Sequence, residues 1–321
     1  MSATTRSSRV QWIWIIVAIL AAVALPPFIE STLVRHFLVL IGINIVLVLS
    51  LDLVIGLLGL SALGHAGFMG IGAYTSALLV VGNGSSFLMG LAAGTLMATI
   101  FGVLIGYPSL RLKGHYFVVV TFITGIVLNL FFTNLVGITK GPMGLPGIPP
   151  PVIGGYAFSS KLSYYYLVLA FIGLVLLVKW RIHSSRIGRA LTAIREDEDL
   201  ARAVGIRSHR HKVIAFGLSA AGAGMAGSLY AHYLRFIGPA TFDFVHSFDF
   251  FVMNLLGGKA SMLGPIIGPA LVTAIDEASQ LFRPEPARIA FGVCLILIIM
   301  YMPEGIAGLI RSMRSMRSRR Q

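Results

Sequence analysis

The sequence predicts an all-α polytopic membrane protein of about ten transmembrane helices interrupted by glycine-rich elbows. Three observations carry this. Of 321 residues, 56% are hydrophobic and only 12% charged, whereas a soluble domain averages about 25% charged. Apolar runs recur at the ~20-residue length that crosses a bilayer. Lys and Arg crowd into alternate loops, as they do where basic loops stay in the cytoplasm. The net charge of +13 is therefore read as topology and not as nucleic-acid binding.

The candidate spans, in order, are Gln11–Ile29, Leu33–Leu60, Phe68–Gly82, Phe87–Tyr107, Tyr116–Ile138, Ser163–Trp180, Val213–Tyr233, Phe248–Met262, Pro265–Phe282 and Ala287–Met302. The third and eighth are short, as half-helices or re-entrant segments are. With the N-terminus inside, nineteen Lys and Arg fall on the cytoplasmic side and six outside. Both termini and the long loop are then cytoplasmic. This gives a cytoplasmic N-terminus (1–10), a transmembrane domain (11–303) and a basic tail (304–321) resting on anionic lipid. Arg6 and Arg9 precede the first run as in a signal peptide, but the run ends in Pro26-Pro27 without a small-residue cleavage site, so it reads as an uncleaved span. The single cysteine, Cys294, lies in an apolar run and reads as a small buried hydrophobe.

One charged segment, residues 181–212, interrupts the apolar pattern. Nine Lys or Arg fall between Lys179 and Lys212, around the acidic run Glu196, Asp197, Glu198 and Asp199. Ile187, Leu191, Ile194, Ala201 and Val204 recur at helical spacing, and Gly205 ends the pattern. The reading is one amphipathic helix from Gly188 to Gly205. Its apolar stripe calls for a protein partner or the membrane surface. The acidic run favours the protein, since anionic lipid would repel it.

Two glycine-rich elbows join successive spans. The first runs from Gly56 through Gly59, Gly64 and Gly67 to Gly72; the second runs from Gly257-Gly258 through Gly264-Pro265 to Gly268-Pro269. Paired interruptions of this kind point to a transporter's substrate path, and equally to close helix packing. On the first reading Ser61, His65, Asn254 and Ser261 lie near a shared, partly wet passage. A third irregular stretch, Thr139–Pro151, is rich in Gly and Pro; it reads as a stiff external loop without regular structure.

No GxxxxGK[ST] loop, HExxH motif, Cys/His cluster or hydrolytic triad occurs in the sequence. The chain is therefore expected to have no catalytic residue, no metal site and no ATP hydrolysis of its own. His209 and His211 read as solvated loop residues. Among intramembrane polar residues, Asn44, Asn129, Asn134 and Asn254 suit helix–helix hydrogen bonding. Asp52 lies deep in the second span, where an acid costs roughly 2.5–3.5 kcal/mol and needs a partner or a role. It is the residue an ion-coupled carrier would use. Asp276 and Glu277 sit towards the outer half of the ninth span, and Asp243 and Asp249 flank the eighth.

These stretches resemble the LivM-type permease subunits of bacterial ATP-binding-cassette importers for branched-chain amino acids. The matching residues are Gly59–Phe68 with Gly70–Thr75, Gly141–Leu145 with Gly147–Pro149, Gly188–Ala190 with Ala193–Glu198, Leu256–Gly258 with Gly264-Pro265, and Pro303–Gly305. They keep their order from about residue 50 to the tail. Importer permeases carry a cytoplasmic loop with Glu-Ala-Ala and a Gly six positions after the Glu. Asp199-Leu200-Ala201 and Gly205 fit that spacing with two replacements.

The resemblance implies an inner-membrane subunit that forms the translocation path. It also implies a second, usually different permease subunit, two ATPase subunits that bind ATP and Mg, and a periplasmic binding protein. Coupling to the ATPase is then expected at Gly188, Arg189, Arg195, Glu196, Asp197, Glu198, Asp199 and Gly205. Related permeases move urea, short amides or sugars, and these remain open as substrates. A passive channel and an Asp52-based carrier remain open as classes.

Overall fold

The computed structural model describes residues 26–112, 114–258 and 261–281, with side chains to 277. The first and tenth expected spans, Cys294, Lys259 and the basic tail lie outside the described residues, apart from a short 3₁₀ turn at Pro26–Phe28. The described part is helical. In chain order it comprises α1 Thr32–Asp52, α2 His65–Asn83, α3 Phe87–Ser109, α4 His115–Asn134 and α5 Lys161–Ser184. These are followed by α6 Arg186–Glu196, α7 Glu198–Ala203, α8 Ser208–Leu234, α9 Phe244–Gly257 and α10 Gly264–Leu281. Six of these are long and apolar enough to cross a membrane, α1 being extended by a π-helical turn to Leu57.

The third expected span is longer than the periodicity implied, at 19 residues. Its small polar N-terminal residues, His65 and Gly67, are buried and helical, although their hydropathy is low. The eighth is short, at 14 residues. The sixth is longer than expected, running from Lys161 to Ser184, because Arg181 and His183 continue the helix past Trp180.

Helix α8 sits at the centre and packs against α3, α2 and α1. Small residues make that possible. A Cβ added at Gly72 would lie 2.1 Å from the carbonyl oxygen of Gly224, one at Gly94 would lie 2.6 Å from that of Gly72, and one at Gly227 would lie 1.9 Å from that of Met69. The three backbones therefore touch, and dispersion between them replaces the hydrophobic drive that lipid cannot supply. Ser228 stitches the seam, donating to the carbonyls of Gly72 (3.1 Å) and Gly224 (3.0 Å). Helices α3 and α4 turn the opposite way, exposing Leu88, Leu96, Leu104, Val119, Ile123 and Val127, as a lipid-facing or subunit-facing wall does.

The Thr139–Pro151 stretch is not wholly irregular. Strand β1 (Leu145–Pro146) pairs antiparallel with β4 (Phe236–Ile237), and β2 (Val152–Ile153) pairs with β3 (Tyr156–Ala157). Pro146 is tolerated because a strand this short has a free edge. His232 holds the same loop from beneath, with Nδ1 2.8 Å from the Pro149 carbonyl and Nε2 3.0 Å from Ser76 Oγ. A carbonyl only accepts, so Nδ1 carries the proton and Nε2 receives the serine's.

The seam is testable. Gly227→Ala should lower the yield and thermal stability of purified full-length chain by about 1–3 kcal/mol or more, the cost of overpacking a close-packed contact. Gly173→Ala, whose added Cβ meets nothing within 4 Å, should be neutral in the same melting assay.

Candidate functional site

The charged segment folds as a helical hairpin between α5 and α8. Ser185 ends α5 and starts α6, its Oγ accepting from the Gly188 amide at 3.2 Å. At Gly188 a Cβ would fall 2.2 Å from the Ile182 carbonyl oxygen, so the turn requires glycine. Arg189 reaches back to the Ser184 carbonyl at 3.4 Å. The expected single helix is two. Asp197 is extended (φ −156°, ψ 107°), and its carboxylate caps α7 by accepting from the amides of Asp199 (3.0 Å) and Leu200 (2.9 Å). An aspartate that finds backbone donors ahead of it competes with helix continuation. Gly205, at φ +87°, follows the end of α7 in the left-handed conformation expected there.

The apolar stripe has a partner within its own chain. Leu191, Ile194 and Ala201 are buried against Leu53, Leu57 and Leu58 of the first elbow and Ala215 of α8. The expectation that this stripe faces an external groove is therefore corrected. What faces outward is a smaller set: Leu200 and Val204, 62% and 71% exposed, and Ile187, 38% exposed.

The acidic run divides in the same way. Glu198 is an internal brace, its carboxylate oxygens 2.5 Å from Lys212 Nζ at the start of α8 and 2.5 Å from Arg202. Burial pushes the Glu198 carboxyl up, but the hydrogen bonds and charges of Lys212 and Arg202 outweigh it and hold the carboxyl below its ordinary value. Glu196 pairs with Arg195 at 2.6 Å, and Asp199 approaches Arg202 at 3.6 Å; both carboxylates remain largely in solvent. Arg195 also turns inward and donates to the Gly56 carbonyl at 3.0 Å, joining hairpin to elbow.

Asp52 lies one helical turn from that carbonyl and is wholly buried. Its carboxylate meets Lys179 Nζ at 2.9 Å and accepts from Asn254 Nδ2 at 3.2 Å. Lys179 donates in turn to the carbonyl of Ser261, in the second elbow, at 2.9 Å. Lys179, counted among the loop cations, is thus a buried residue of α5, and Asp52 is an ion-paired one. Asp52, Lys179, Asn254 and Ser261 bring α1, α5, α9 and the second elbow to one point. Gly56 makes room for the carboxylate, since a Cβ there would lie 2.4 Å from Asp52 Oδ1.

Ser61 is half-buried in the loop between α1 and α2. His65 is enclosed, its Nε2 2.8 Å from Ser219 Oγ and its ring edge-on to Phe68 and Phe216. Thr121 and Ser247 complete the elbow by accepting from the amides of Leu63 (3.2 Å) and Ala66 (3.0 Å). These two, with Lys179 and Ser219, are the residues that sequence reasoning missed. Only Lys179 carried a signal, a cation placed between Val178 and Trp180 on the apolar side of the loop.

Broken helices, a close-packed glycine seam and a braced helical hairpin projecting from one end define a multi-pass membrane permease. The chain belongs to the family described as branched-chain amino acid transport system / permease component, whose profile matches residues 33–302. It is 34% identical over 319 residues to the high-affinity branched-chain amino acid transport system permease protein LivM of Escherichia coli K12, covering 92% of this chain and 75% of that protein. It is 28% identical over 277 residues to the LivH permease of Salmonella typhimurium, covering 80% and 88%. A probable LivM of Methanocaldococcus jannaschii is 28% identical over 325 residues, covering 85% and 93%. No solved structure matches.

Two outcomes follow from this geometry. Lys179→Met removes the ammonium 2.9 Å from buried Asp52 and should cost about 3–5 kcal/mol, whereas Lys179→Met with Asp52→Asn should recover most of that loss; thermal melts of the purified full chain read both. The Glu198 brace is fully present above the carboxyl's unfolded value and is lost as pH falls through its lowered folded value, so the window lies below 4.5. At neutral pH, Glu198→Gln should cost the hairpin about 1.5–3 kcal/mol, the worth of a charged hydrogen bond, read as faster proteolysis between α6 and α8.

Proposed function

We propose that this chain is the inner-membrane permease subunit through which an ATP-driven importer moves branched-chain or other hydrophobic amino acids. Separate ATPase subunits bind ATP and Mg and supply the work. A second, LivH-like permease completes the path, and a periplasmic binding protein delivers substrate. The α6–α7 hairpin carries the reading. It presents exposed apolar Leu200 and Val204 on a segment that also carries the exposed carboxylates Glu196 and Asp199. The hairpin is tied to the first elbow by Arg195 and to α8 by Glu198. A surface presented outward and braced inward suits a part that receives motion from another protein. The apolar pair gives contact area and the charges set register.

The carrier reading needs an intramembrane acid free to take a proton or ion. Asp52 is held by Lys179 and Asn254, which favours a structural role for it. Both termini and the hairpin are placed in the cytoplasm on the charge asymmetry.

Leu200→Glu with Val204→Glu alters this pair and leaves every brace in place. In a reconstituted importer it should leave the permease at normal abundance while removing substrate-stimulated ATP hydrolysis and uptake together. Near-normal transport by this variant, or transport with no ATPase present, would sink the coupling role.

A further inference from the structure

At the end of the bundle opposite the hairpin, a cavity of about 270 Å³ opens between the starts of α1 and α5 and the end of α8. His36, Lys161, Tyr164, His232, Tyr233 and Arg235 line it, and among the described residues no Asp or Glu does. The neutral polar groups are occupied with one another or with backbone. His36 Nδ1 lies 2.6 Å from Tyr233 Oη, Tyr164 donates to the Leu229 carbonyl at 2.6 Å, and His232 is spent on Pro149 and Ser76. Among the described residues, Lys161 Nζ makes one bond, to the Thr32 carbonyl at 3.2 Å, and the Arg235 guanidinium makes none. Among the described residues the cavity therefore presents two cations with no carboxylate in its wall and aromatic rings behind them; Glu277 of α10 acts on Tyr233 from outside the lining.

We infer that this cavity binds a phosphate oxyanion, the headgroup of an acidic phospholipid or free phosphate. Two cations without a carboxylate match a net anion better than a zwitterion, whose ammonium would be repelled. A guanidinium fork and an ammonium are the donors that phosphate oxygens accept from most strongly. The site also lies at the level where α1 and α5 begin, which is the depth of headgroups if these helices span. Nothing in the coupling role of the hairpin requires this site, so the two stand or fall separately.

Arg235 allows a clean test. It adopts φ +59°, a conformation that glycine takes without penalty, so Arg235→Gly removes the cation without straining the fold. The full chain, purified in a neutral detergent, is titrated with short-chain phosphatidylglycerol, short-chain phosphatidylcholine and inorganic phosphate while its Tm is followed. Phosphatidylglycerol should raise Tm saturably and phosphatidylcholine should not. Lys161→Gln with Arg235→Gly should start from an unchanged or higher Tm and lose the rise. A rise with inorganic phosphate of the same size, equally lost in the variant, assigns the site to the free ion. No rise with either anion, or a rise that survives in the variant, overturns the inference.

Discussion

A helix broken in apolar surroundings must find partners for the backbone groups it releases. The described chain breaks twice in this way, after α1 and after α9, and the fold is arranged around satisfying those breaks. Cations do it in both places. Arg195 donates to the Gly56 carbonyl at the first elbow, and Lys179 donates to the Ser261 carbonyl at the second. Lys179 is taken out of water and needs its own compensation, which Asp52 provides, whereas Arg195 stays partly solvated beside Glu196. The polar residues that look anomalous in a hydrophobic chain are thus consequences of the elbows. Asp52 is buried because Lys179 is, and Lys179 is buried because Ser261 exposes a carbonyl inside the protein. A pair of this kind contributes little net stability but fixes a single arrangement, since every alternative leaves a charge unpaired.

Much of this architecture was legible in the sequence. Hydrophobic runs and charge asymmetry locate the long helices, because lipid imposes a length on them that composition records directly. The elbows were legible as glycine clusters, and the end of the hairpin as Gly205. The limits are equally physical. Periodicity implied one helix from Gly188 to Gly205, yet Asp197 divides it, because N-cap chemistry depends on one side chain and leaves the apolar spacing intact. The stripe of Leu191, Ile194 and Ala201 announced a buried face without naming its partner, and that partner, Leu53 to Leu58, is more than a hundred residues earlier. Lys179 falls within the expected sixth span and counts among the basic residues, but its pairing with Asp52 is a tertiary fact that neither reading carries. The residues expected near a passage are the least legible: Ser61, His65, Asn254 and Ser261 lie in or beside the elbows, with His65 and Asn254 fully buried, but a polar residue that holds two helices together and one that wets a path have the same composition.

The placement of the glycines separates two kinds of work they do. At Gly72, Gly94, Gly224 and Gly227 the backbone is helical and the missing side chain lets neighbouring helices touch. Gly59 differs. It is left-handed, at φ +72°, and a Cβ there would lie 2.7 Å from Cγ of Arg195. Its role is local, turning the chain out of α1 while clearing a lane for the arginine that caps it. The same residue type therefore serves the rigid seam and the elbow, and only the seam is expected to tolerate no change in helix spacing.

That contrast bears on how movement at one end could reach the other. Helix α8 begins at the hairpin, where Lys212 holds Glu198, and ends at the opposite loop, where His232 holds Pro149 and β4 pairs with β1. Its 27 residues span about 40 Å at 1.5 Å per residue. The glycine seam clamps its middle to α2 and α3, so bending there would separate backbones already in contact. A rod fixed at its centre and tied at both ends can tilt as a unit more readily than it can flex. The elbows are the places where the surrounding helices can yield to such a tilt, since their backbone is already non-helical and is held by side-chain donors. Motion of the hairpin would therefore act on the first elbow through Arg195 and on the loop at the far end of α8 through that helix. One small surface, two charged contacts deep, is in this way connected to the first elbow and, through α8, to the loop at its far end.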